Sequence, residues 1–157
     1  MTSMKIHIAT DHAGFEVKSA IIEHLTSRGY EVVDHGAHHY DPDDDYPEFI
    51  IQAAEAVASD QQIGEDSLGI VLGGSGNGEQ IAANKVRGIR AALAWSQATA
   101  QLAREHNDAN IISIGIRQHD VSEVLSLIDT FVDTAFLGTE RYARRIDQVA
   151  DYENSQT

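Results

Sequence analysis

Cysteine is absent from this 157-residue chain, and basic side chains are scarce: 11 lysines and arginines stand against 25 acidic residues. Without cysteine the chain forms no disulfide, no thiolate metal site and no cysteine nucleophile. The net charge of −14 repels nucleic acids and anionic membrane surfaces over most of the molecule. We therefore predict no nucleic-acid partner and no membrane partner. An anionic small molecule stays compatible with this charge if the few cations converge on one pocket.

Long apolar runs are missing as well. No stretch reaches the roughly 18 apolar residues that a bilayer span requires, and the opening Met-Thr-Ser-Met-Lys-Ile-His-Ile does not resemble a secretion signal. We expect a cytoplasmic protein with one domain over residues 1–157, because single domains most often contain about 100–150 residues. The acidic stretch 41–45 is interpreted as a helix start, and the polar tail 154–157 is expected to fray.

Short apolar segments alternate with longer segments of helical periodicity, which is typical of repeated strand–helix units. The strands are mostly apolar throughout, which predicts a parallel sheet with helices on both faces. The predicted fold is a Rossmann-like α/β/α sandwich around a doubly wound five-stranded parallel sheet. The predicted strands are 5–10, 31–34, 68–72, 91–94 and 111–114. The predicted helices are 15–28, 47–60, 78–85, 96–105, 121–134 and about 139–153.

Doubly wound sheets bind ligands outside the carboxyl ends of their strands, so the residues after each strand are candidates for chemistry. Because parallel strands end at one edge of the sheet, we expect these residues to converge there. Asp11 is a candidate for moving a proton, although a residue at this position often only caps the following helix. The candidate segments are 11–12, 73–79, 95–96 and 115–117.

The most informative segment is Gly73-Gly-Ser-Gly-Asn-Gly-Glu79. Four glycines at a strand-to-helix turn let backbone amides face an oxygen atom of a ligand. The segment lacks the lysine of a P-loop and the third glycine of a dinucleotide fingerprint. Glu79 would repel a pyrophosphate, but it could remove a proton from a carbon whose neighbouring oxygen the amides stabilise. The segment therefore indicates enolisation chemistry, or alternatively a tight turn in which Glu79 only complements the helix dipole.

Four arginines are candidates for recognising an anion. Arg117 follows the fifth predicted strand, and the last helix carries Arg141, Arg144 and Arg145 at spacings that place Arg141 on one face with both others. Planar guanidinium groups bind phosphate or carboxylate through two parallel hydrogen bonds. The alternative is surface pairing with acidic residues on the same helix.

The histidines are less specific. His106 and Asn107 end a predicted helix, where His106 could take part in chemistry or merely complement the negative helix end. His35, His38 and His39 resemble a metal cluster, but they lie in a polar loop without a nearby fixed carboxylate partner. We therefore predict no metal site.

Taken together, these motifs resemble the B-type ribose-5-phosphate isomerases, which are related to the galactose-6-phosphate isomerase subunits. In much of that family the catalytic base is a cysteine, whereas a subgroup similar to the mycobacterial enzymes uses a glutamate in the glycine-rich loop. This chain lacks cysteine and has Glu79, so it resembles the glutamate subgroup. The resemblance covers nearly the whole chain and rests on 11–14, 45–47, 73–79, 81–85, 106–107, 115–117 and the arginines of the last helix.

The resemblance implies interconversion of ribose 5-phosphate and ribulose 5-phosphate in the pentose phosphate pathway, without a cofactor. It also implies a homodimer whose active sites are shared between subunits. His106 with Asp11 would open the sugar ring, and Asn107 would hold substrate hydroxyls. The positions that match phosphate contacts in the family are His12, Arg117, Arg141 and Arg145.

By the same resemblance, Glu79 would move the proton between C2 and C1 of the open sugar. Ser75 and the amides near Gly74 and Gly78 would stabilise the enediolate. One physical difficulty concerns the pKa of Glu79, which a helix N-terminus should lower although a base benefits from a higher value. Burial of the carboxylate, brought about by closure over the substrate, is the expected remedy.

Two alternatives stay open from sequence. The same chemistry could act on allose 6-phosphate, galactose 6-phosphate or a tetrose 4-phosphate, because the distance from the arginines to Glu79 sets the substrate. A noncatalytic doubly wound module, such as a phospho-acceptor receiver or a nucleotide-binding regulator, is the second alternative. A receiver needs an aspartate after the third strand and a lysine after the fifth, where this chain has Gly73 and Gly115.

Overall fold

The computed structural model describes residues 4–156. Residues 1–3 and Thr157 lie outside this range. The first three belong to the segment that is predicted not to be a secretion signal, and Thr157 belongs to the polar tail. Five parallel strands form one sheet in the order β2-β1-β3-β5-β4 with helices on both faces, which confirms the predicted fold. The strands are β1 (Lys5–Thr10), β2 (Glu31–Asp34), β3 (Ser67–Gly73), β4 (Ala91–Leu93) and β5 (Ile111–Gly115). The helices are α1 (Phe15–Ser27), α2 (Pro47–Gln62), α3 (Asn77–Ala83), α4 (Gln97–Asn107), α5 (Val121–Asp133) and α6 (Glu140–Ser155).

Two apolar cores lie on the two faces of the sheet. Successive side chains of a strand point to opposite faces, so Ile70 and Leu72 of β3 pack under α1, α4 and α5, whereas Val71 packs under α2 and α3. All three side chains are fully buried. Each stabilises the fold by about 1.5–3 kcal/mol. This burial explains why β3 is apolar throughout its length.

The end of β3 is a point where the chain changes direction relative to the sheet. The chain leaves β1 and β5 toward the face covered by α1, α4 and α5, whereas it leaves β3, which lies between them, toward the opposite face. The connections therefore diverge on both sides of β3 and open a crevice at its carboxyl end. The loop that begins at Gly73 lies in this crevice.

Helix α6 lies at the edge where the strands begin, which we call the amino edge; the opposite edge, where the strands end, is the carboxyl edge. Glu153 of α6 accepts a hydrogen bond from the backbone of Gly88 at 3.0 Å, shortly before β4 begins. The expectation that the tail frays from residue 154 is wrong for Asn154 and Ser155, which continue α6. Among residues 4–156, no helix combines the length and the apolar character needed to cross a membrane.

A partly buried chain of three polar side chains links β1 to α2 and to the loop after β2. The carboxylate of Asp60 can only accept, so it accepts from Nε2 of His7 at 2.7 Å. Nδ1 of His7 then accepts from Nε2 of His35 at 2.8 Å. His35 begins the loop between β2 and α2, so this chain of hydrogen bonds holds the first residue of that loop against the sheet.

Acidification is expected to destabilise the protein through His35. Burial lowers the pKa of His35 from its ordinary value of 6.5, and His7 adds to this effect. The unfolded chain therefore takes up this proton at a higher pH than the folded chain, so the free energy of unfolding falls as the pH drops below about 6.5. The variant His35→Gln keeps an N–H donor without this titration. Its melting temperature should fall less than that of the wild type between about pH 7 and pH 5.5, as measured by circular dichroism.

His39→Gln is the matched control, because His39 is exposed in the same loop. It should melt like the wild type at both pH values. An equal acid-induced fall in the wild type and His35→Gln would contradict the assignment.

Candidate active site

The glycine-rich loop brings Glu79 into the crevice at the carboxyl edge. The Glu79 side chain is 5% exposed, and its carboxyl group lies directly against the backbone of Gly73. A Cβ atom at Gly73 would overlap this carboxyl group, so only glycine fits there. Gly76 has φ of +83°, a left-handed conformation that glycine adopts without a steric penalty, and it directly precedes α3 as its N-cap. The loop sequence thus sets the position of the acid.

Burial raises the pKa of Glu79 above its ordinary value of 4.5, and the nearby negative charge of Asp11 raises it further. The backbone amides of Glu79 and Gly76 act in the opposite direction. The fold therefore desolvates the carboxyl group without a substrate in place, so closure over the substrate is not needed for a raised pKa. A carboxylate with a raised pKa is the better proton acceptor.

Asp11 is also buried at this edge, being 8% exposed. Its Oδ1 accepts a hydrogen bond from the backbone N–H of Ala13 at 2.9 Å, so it caps the short turn His12–Gly14. The capping interpretation from sequence is confirmed by this contact. The same carboxylate acts on the charge of Glu79, so Asp11 also belongs to the surroundings of the candidate base.

His12 is joined to Asp44, a residue that the sequence analysis did not select. Oδ1 of Asp44 accepts from Nδ1 of His12 at 2.7 Å and from the backbone N–H of His12 at 3.0 Å. The hydrogen bond to Asp44 raises the pKa of His12 above 6.5; Asp11 also raises it, whereas burial and Arg117 lower it. The acidic stretch 41–45 signals a turn of aspartates, but nothing in it tells which of them turns inward.

Arg117 and the loop face each other. Nη1 of Arg117 would lie 2.9 Å from a Cβ atom at Gly74, so the guanidinium covers this glycine. Arg117 forms no ion pair with any carboxylate of residues 4–156, although the chain is strongly acidic. Ser75 is exposed beside it, and its hydroxyl oxygen accepts from the backbone of Asn77 at 3.3 Å. An unpaired guanidinium next to the loop suits an anionic ligand.

Tyr46 packs against the glycine-rich loop at Gly78. Its hydroxyl end lies so close to Gly78 that a Cβ atom there would overlap it. Tyr46 directly precedes α2, and a proline follows it at the first position of that helix. From sequence, Tyr46 was part of the motif 45–47 that carries the family resemblance, and its contact with Gly78 was not predicted.

The remaining predicted residues lie at the amino edge. The His106 ring stacks on Tyr142 of α6, with ring centroids 4.2 Å apart, and the carbonyl of Asn107 accepts from Nε of Arg90 at 2.9 Å. Arg90 directly precedes β4, so this contact belongs to the start of the strands. A strand of five residues is about 15 Å long, which separates His106 from Glu79 within one chain.

From sequence, the arginines of α6 were interpreted either as anion-binding groups or as partners of acidic residues on the same helix, and the structure contains examples of both environments. Arg144 pairs with Glu140 at 2.8 Å, which is surface pairing on one helix. Within the described range, Arg141 and Arg145 have no carboxylate partner and are exposed. Arg145 and Asn107 line a groove of about 560 Å³ between α6 and the outer edge of β4.

The predicted site residues therefore form two groups, which lie at opposite edges of the sheet within one chain. The carboxyl-edge group consists of Asp11, His12, Gly74, Ser75, Gly78, Glu79 and Arg117. The amino-edge group consists of His106, Asn107, Arg141 and Arg145. The expectation that the residues after the strands converge is met by the first group, whose members follow β1, β3 and β5; Trp95 and Ser96, which follow β4, line a separate pocket with His119 and Glu123.

The histidine loop does not form a cluster. His35 points to His7, whereas His38 and His39 are exposed. Asp11, His12 and Asp44 are the one trio in residues 4–156 with possible metal-ligand atoms within 4.8 Å of one another. Two of them already form the ion pair described above, and the absence of a metal site stays a prediction.

This geometry combines a doubly wound α/β sheet with a buried carboxyl group at a glycine-rich turn and a guanidinium group beside it, which is an arrangement suited to an enzyme that moves a proton on an anionic substrate. A sequence profile described as Ribose/Galactose Isomerase matches residues 6–149. The chain belongs to this family, as its motifs predicted. The membership argues against a noncatalytic module.

Two mycobacterial relatives support this family assignment. The ribose-5-phosphate isomerase B of Mycolicibacterium paratuberculosis is 57% identical over 97% of this chain and 93% of that protein. The protein of the same name from Mycobacterium tuberculosis strain H37Rv is 56% identical over 99% of this chain and 93% of its own. The predicted similarity to the mycobacterial subgroup is thereby confirmed.

Solved structures have the same fold. Ribose-5-phosphate isomerase B of Clostridium thermocellum superposes with a TM-score of 0.91 at 42% identity, covering 98% of this chain and all of the other. The enzyme of Mycoplasma genitalium, solved with bound ribulose-5-phosphate, has a TM-score of 0.91 at 39% identity and covers both chains completely.

Proposed function

We propose that this protein interconverts ribose 5-phosphate and ribulose 5-phosphate through an enediolate. The observation that carries the proposal is the buried Glu79 carboxyl group, with its raised pKa, in a loop whose Gly74 is covered by Arg117, a cation with no carboxylate partner in residues 4–156. The bound ribulose-5-phosphate in the Mycoplasma genitalium relative supports this substrate. A cytoplasmic location and a single domain over residues 1–157 stay predictions.

The geometry suits the chemical steps in order. Arg117 and His12 bind the phosphate, because both cations lie beside the loop and Arg117 has no carboxylate partner in residues 4–156. Glu79 removes the proton from C2 of the open aldose and returns it to C1. The amides near Gly74 and the hydroxyl of Ser75 stabilise the negative charge that develops on the substrate oxygen.

Ring opening needs the amino-edge group, which lies too far from Asp11 in the same chain. We therefore propose a homodimer in which His106 of the partner subunit reaches this site together with Arg141 and Arg145 of the partner subunit. The exposed arginines and the open groove along α6 support this arrangement. A two-fold axis would complete two identical sites at once.

The reaction itself is tested by following ribose 5-phosphate turnover in chelator, without added cofactor. The wild type should produce ribulose 5-phosphate. Parallel assays with allose 6-phosphate, galactose 6-phosphate and a tetrose 4-phosphate compare kcat/KM among the substrates that sequence left open. No turnover of ribose 5-phosphate, with turnover of another sugar phosphate, would replace the substrate but keep the chemistry.

The shared site predicts that two inactive variants restore each other. Glu79→Gln and His106→Asn should each be nearly inactive. After unfolding and refolding together in equal amounts, half of the dimers are mixed and each has one intact site, so activity should return to about one quarter of the wild type. Sites contained within one chain predict no recovery, because every site would carry a mutation. Refolding each variant alone is the control.

A further inference from the structure

Asp44 makes two contacts with one residue of the candidate phosphate site. Its Oδ1 accepts from the His12 ring at 2.7 Å and from the His12 backbone at 3.0 Å. The Asp44 side chain is 10% exposed, and its Oδ2 is buried without a partner in residues 4–156. A buried oxygen without a hydrogen bond costs stability. Such a cost at a functional site indicates that the carboxylate is kept for what it does to its neighbour.

The contact leaves one ring nitrogen of His12 free. Because a carboxylate can only accept a hydrogen bond, the Nδ1 atom of His12 carries the hydrogen and donates the hydrogen bond to Asp44. The Nε2 atom makes no hydrogen bond with residues 4–156. Arg117 is close enough to act on the charge of this ring. His12 and Arg117, which lies against Gly74 of the glycine-rich loop, are thus close enough for their charges to interact.

We infer that Asp44 is a positioning residue, which fixes the His12 ring so that Nε2 donates a hydrogen bond to the phosphate of the substrate. The inference rests on the proposed isomerase function. Asp44 itself does not touch the substrate; it acts through His12. Its position after β2, more than thirty residues from His12 in the chain, ties the loop between β2 and α2 to the phosphate end of the site.

Asp44 also sets the charge of the ring. A phosphate binds the protonated imidazole more tightly than the neutral one. The charged groups that act on His12 are Asp44 and Asp11, which favour its protonated form, and Arg117, which disfavours it. Removing the Asp44 charge leaves Arg117 opposed by Asp11 alone, so the ring should lose its proton at a lower pH.

The variant Asp44→Asn tests the inference through the pH dependence of KM for ribose 5-phosphate. At about pH 8 its KM should exceed that of the wild type by about tenfold, with most of the loss in KM and not in kcat. At about pH 6 the excess should shrink, because the lower pH increases the protonated fraction of the ring in the variant. Titration of the substrate phosphate cancels in this ratio. An excess that is equal at both pH values, or absent, would overturn the inference, since a purely structural role does not depend on the proton of His12.

Asp43→Asn is the matched control. It removes the same charge one residue away, on an exposed side chain, and should leave KM unchanged at both pH values. Asp44→Glu restores the charge and should recover part of the KM. A KM increase in Asp43→Asn equal to that in Asp44→Asn would also overturn the inference, because net charge alone would then explain it.

A second measurement separates this inference from the proposed function. In histidine-labelled protein, the NMR signal of His12 is assigned by its loss in His12→Gln, and its titration is followed with and without inorganic phosphate. Asp44→Asn should lower the pKa of His12 and weaken the phosphate-induced shift at Nε2, whereas Asp43→Asn should do neither. If the wild type isomerises no sugar phosphate, the proposed function fails, and this titration still decides the role of Asp44. Unchanged titration in Asp44→Asn would refute it.

Discussion

Glu79→Gln is expected to lower kcat for ribose 5-phosphate by about 10²–10⁴-fold at neutral pH, with little change in KM. Glutamine has nearly the same shape as glutamate, so the loop and the phosphate contacts stay in place. The amide cannot accept a proton from carbon, so the enediolate does not form. A coupled assay of initial rates over a range of substrate concentrations separates kcat from KM.

The pH dependence of kcat/KM tests the assignment of Glu79 as the base independently. Only the deprotonated Glu79 is a base, so kcat/KM of the wild type should fall as the pH drops through the pKa of Glu79. Burial places this pKa above 4.5, so the acid limb should lie above the limb of an ordinary glutamate. The residual activity of Glu79→Gln should lack this limb. A limb that persists in the variant would assign the proton transfer to another group.

Stability and activity should respond to this substitution in opposite senses. The folded protein binds the Glu79 proton more tightly than the unfolded chain, so the free energy of unfolding falls as the pH rises through the raised pKa. Glutamine removes this cost, and Glu79→Gln should melt at the same temperature as the wild type or higher at about pH 8. Glu55→Gln is the matched control, since Glu55 is exposed in the interior of α2. It should change neither kcat nor the melting temperature. Lower stability with lower activity in Glu79→Gln would indicate a structural role.

Gly73→Ala is expected to reduce kcat by at least about 100-fold. The added methyl group would overlap the carboxyl group of Glu79, which must move away from its position. A base displaced by a fraction of an ångström to one ångström loses the alignment that proton transfer requires. Initial rates and circular dichroism together separate loss of the base from loss of the fold.

The neighbouring glycine supplies the comparison for this experiment. A methyl group at Gly74 meets Nη1 of Arg117 at 2.9 Å, the far end of a flexible side chain. Gly74→Ala should therefore raise KM by about tenfold through a shifted phosphate contact, with a smaller effect on kcat. Equal kinetic effects of the two substitutions would contradict the separate roles assigned to Glu79 and Arg117.

The secondary structure was accessible from sequence because the two periodicities are clear. The predicted bounds of β1 and β2 agree with the structure, and β3 and β5 differ only by residues at their ends. The order of the strands was not predicted, because no local pattern indicates that β4 pairs outside β5 at the edge of the sheet. The length of α6 was underestimated, since Glu153 and Asn154 make contacts near β4 that no local pattern signals.

Chemistry was accessible where a single segment carries it. The loop 73–79 indicated a base and an oxygen-stabilising turn, and the absence of cysteine pointed to the same glutamate. Asp44 was missed because its partner, His12, lies 32 residues away, and four aspartates in one acidic stretch look alike. The meeting of Asp11 and Glu79 at the carboxyl edge was predicted from the strand ends, whereas the burial of Glu79 without a substrate was not.

The sequence by itself determined the fold class and the family and nominated Glu79 as the candidate base, because these depend on local periodicity and on residues adjacent in the chain. The tertiary structure decided which groups meet. It buried Glu79 and raised its pKa, turned Asp44 toward His12, and placed His106 at the edge opposite to Glu79. Burial, charge and distance between chain segments arise only when the segments pack, so the separation of His106 from Glu79 that supports our proposal of a shared site becomes visible only in the folded molecule.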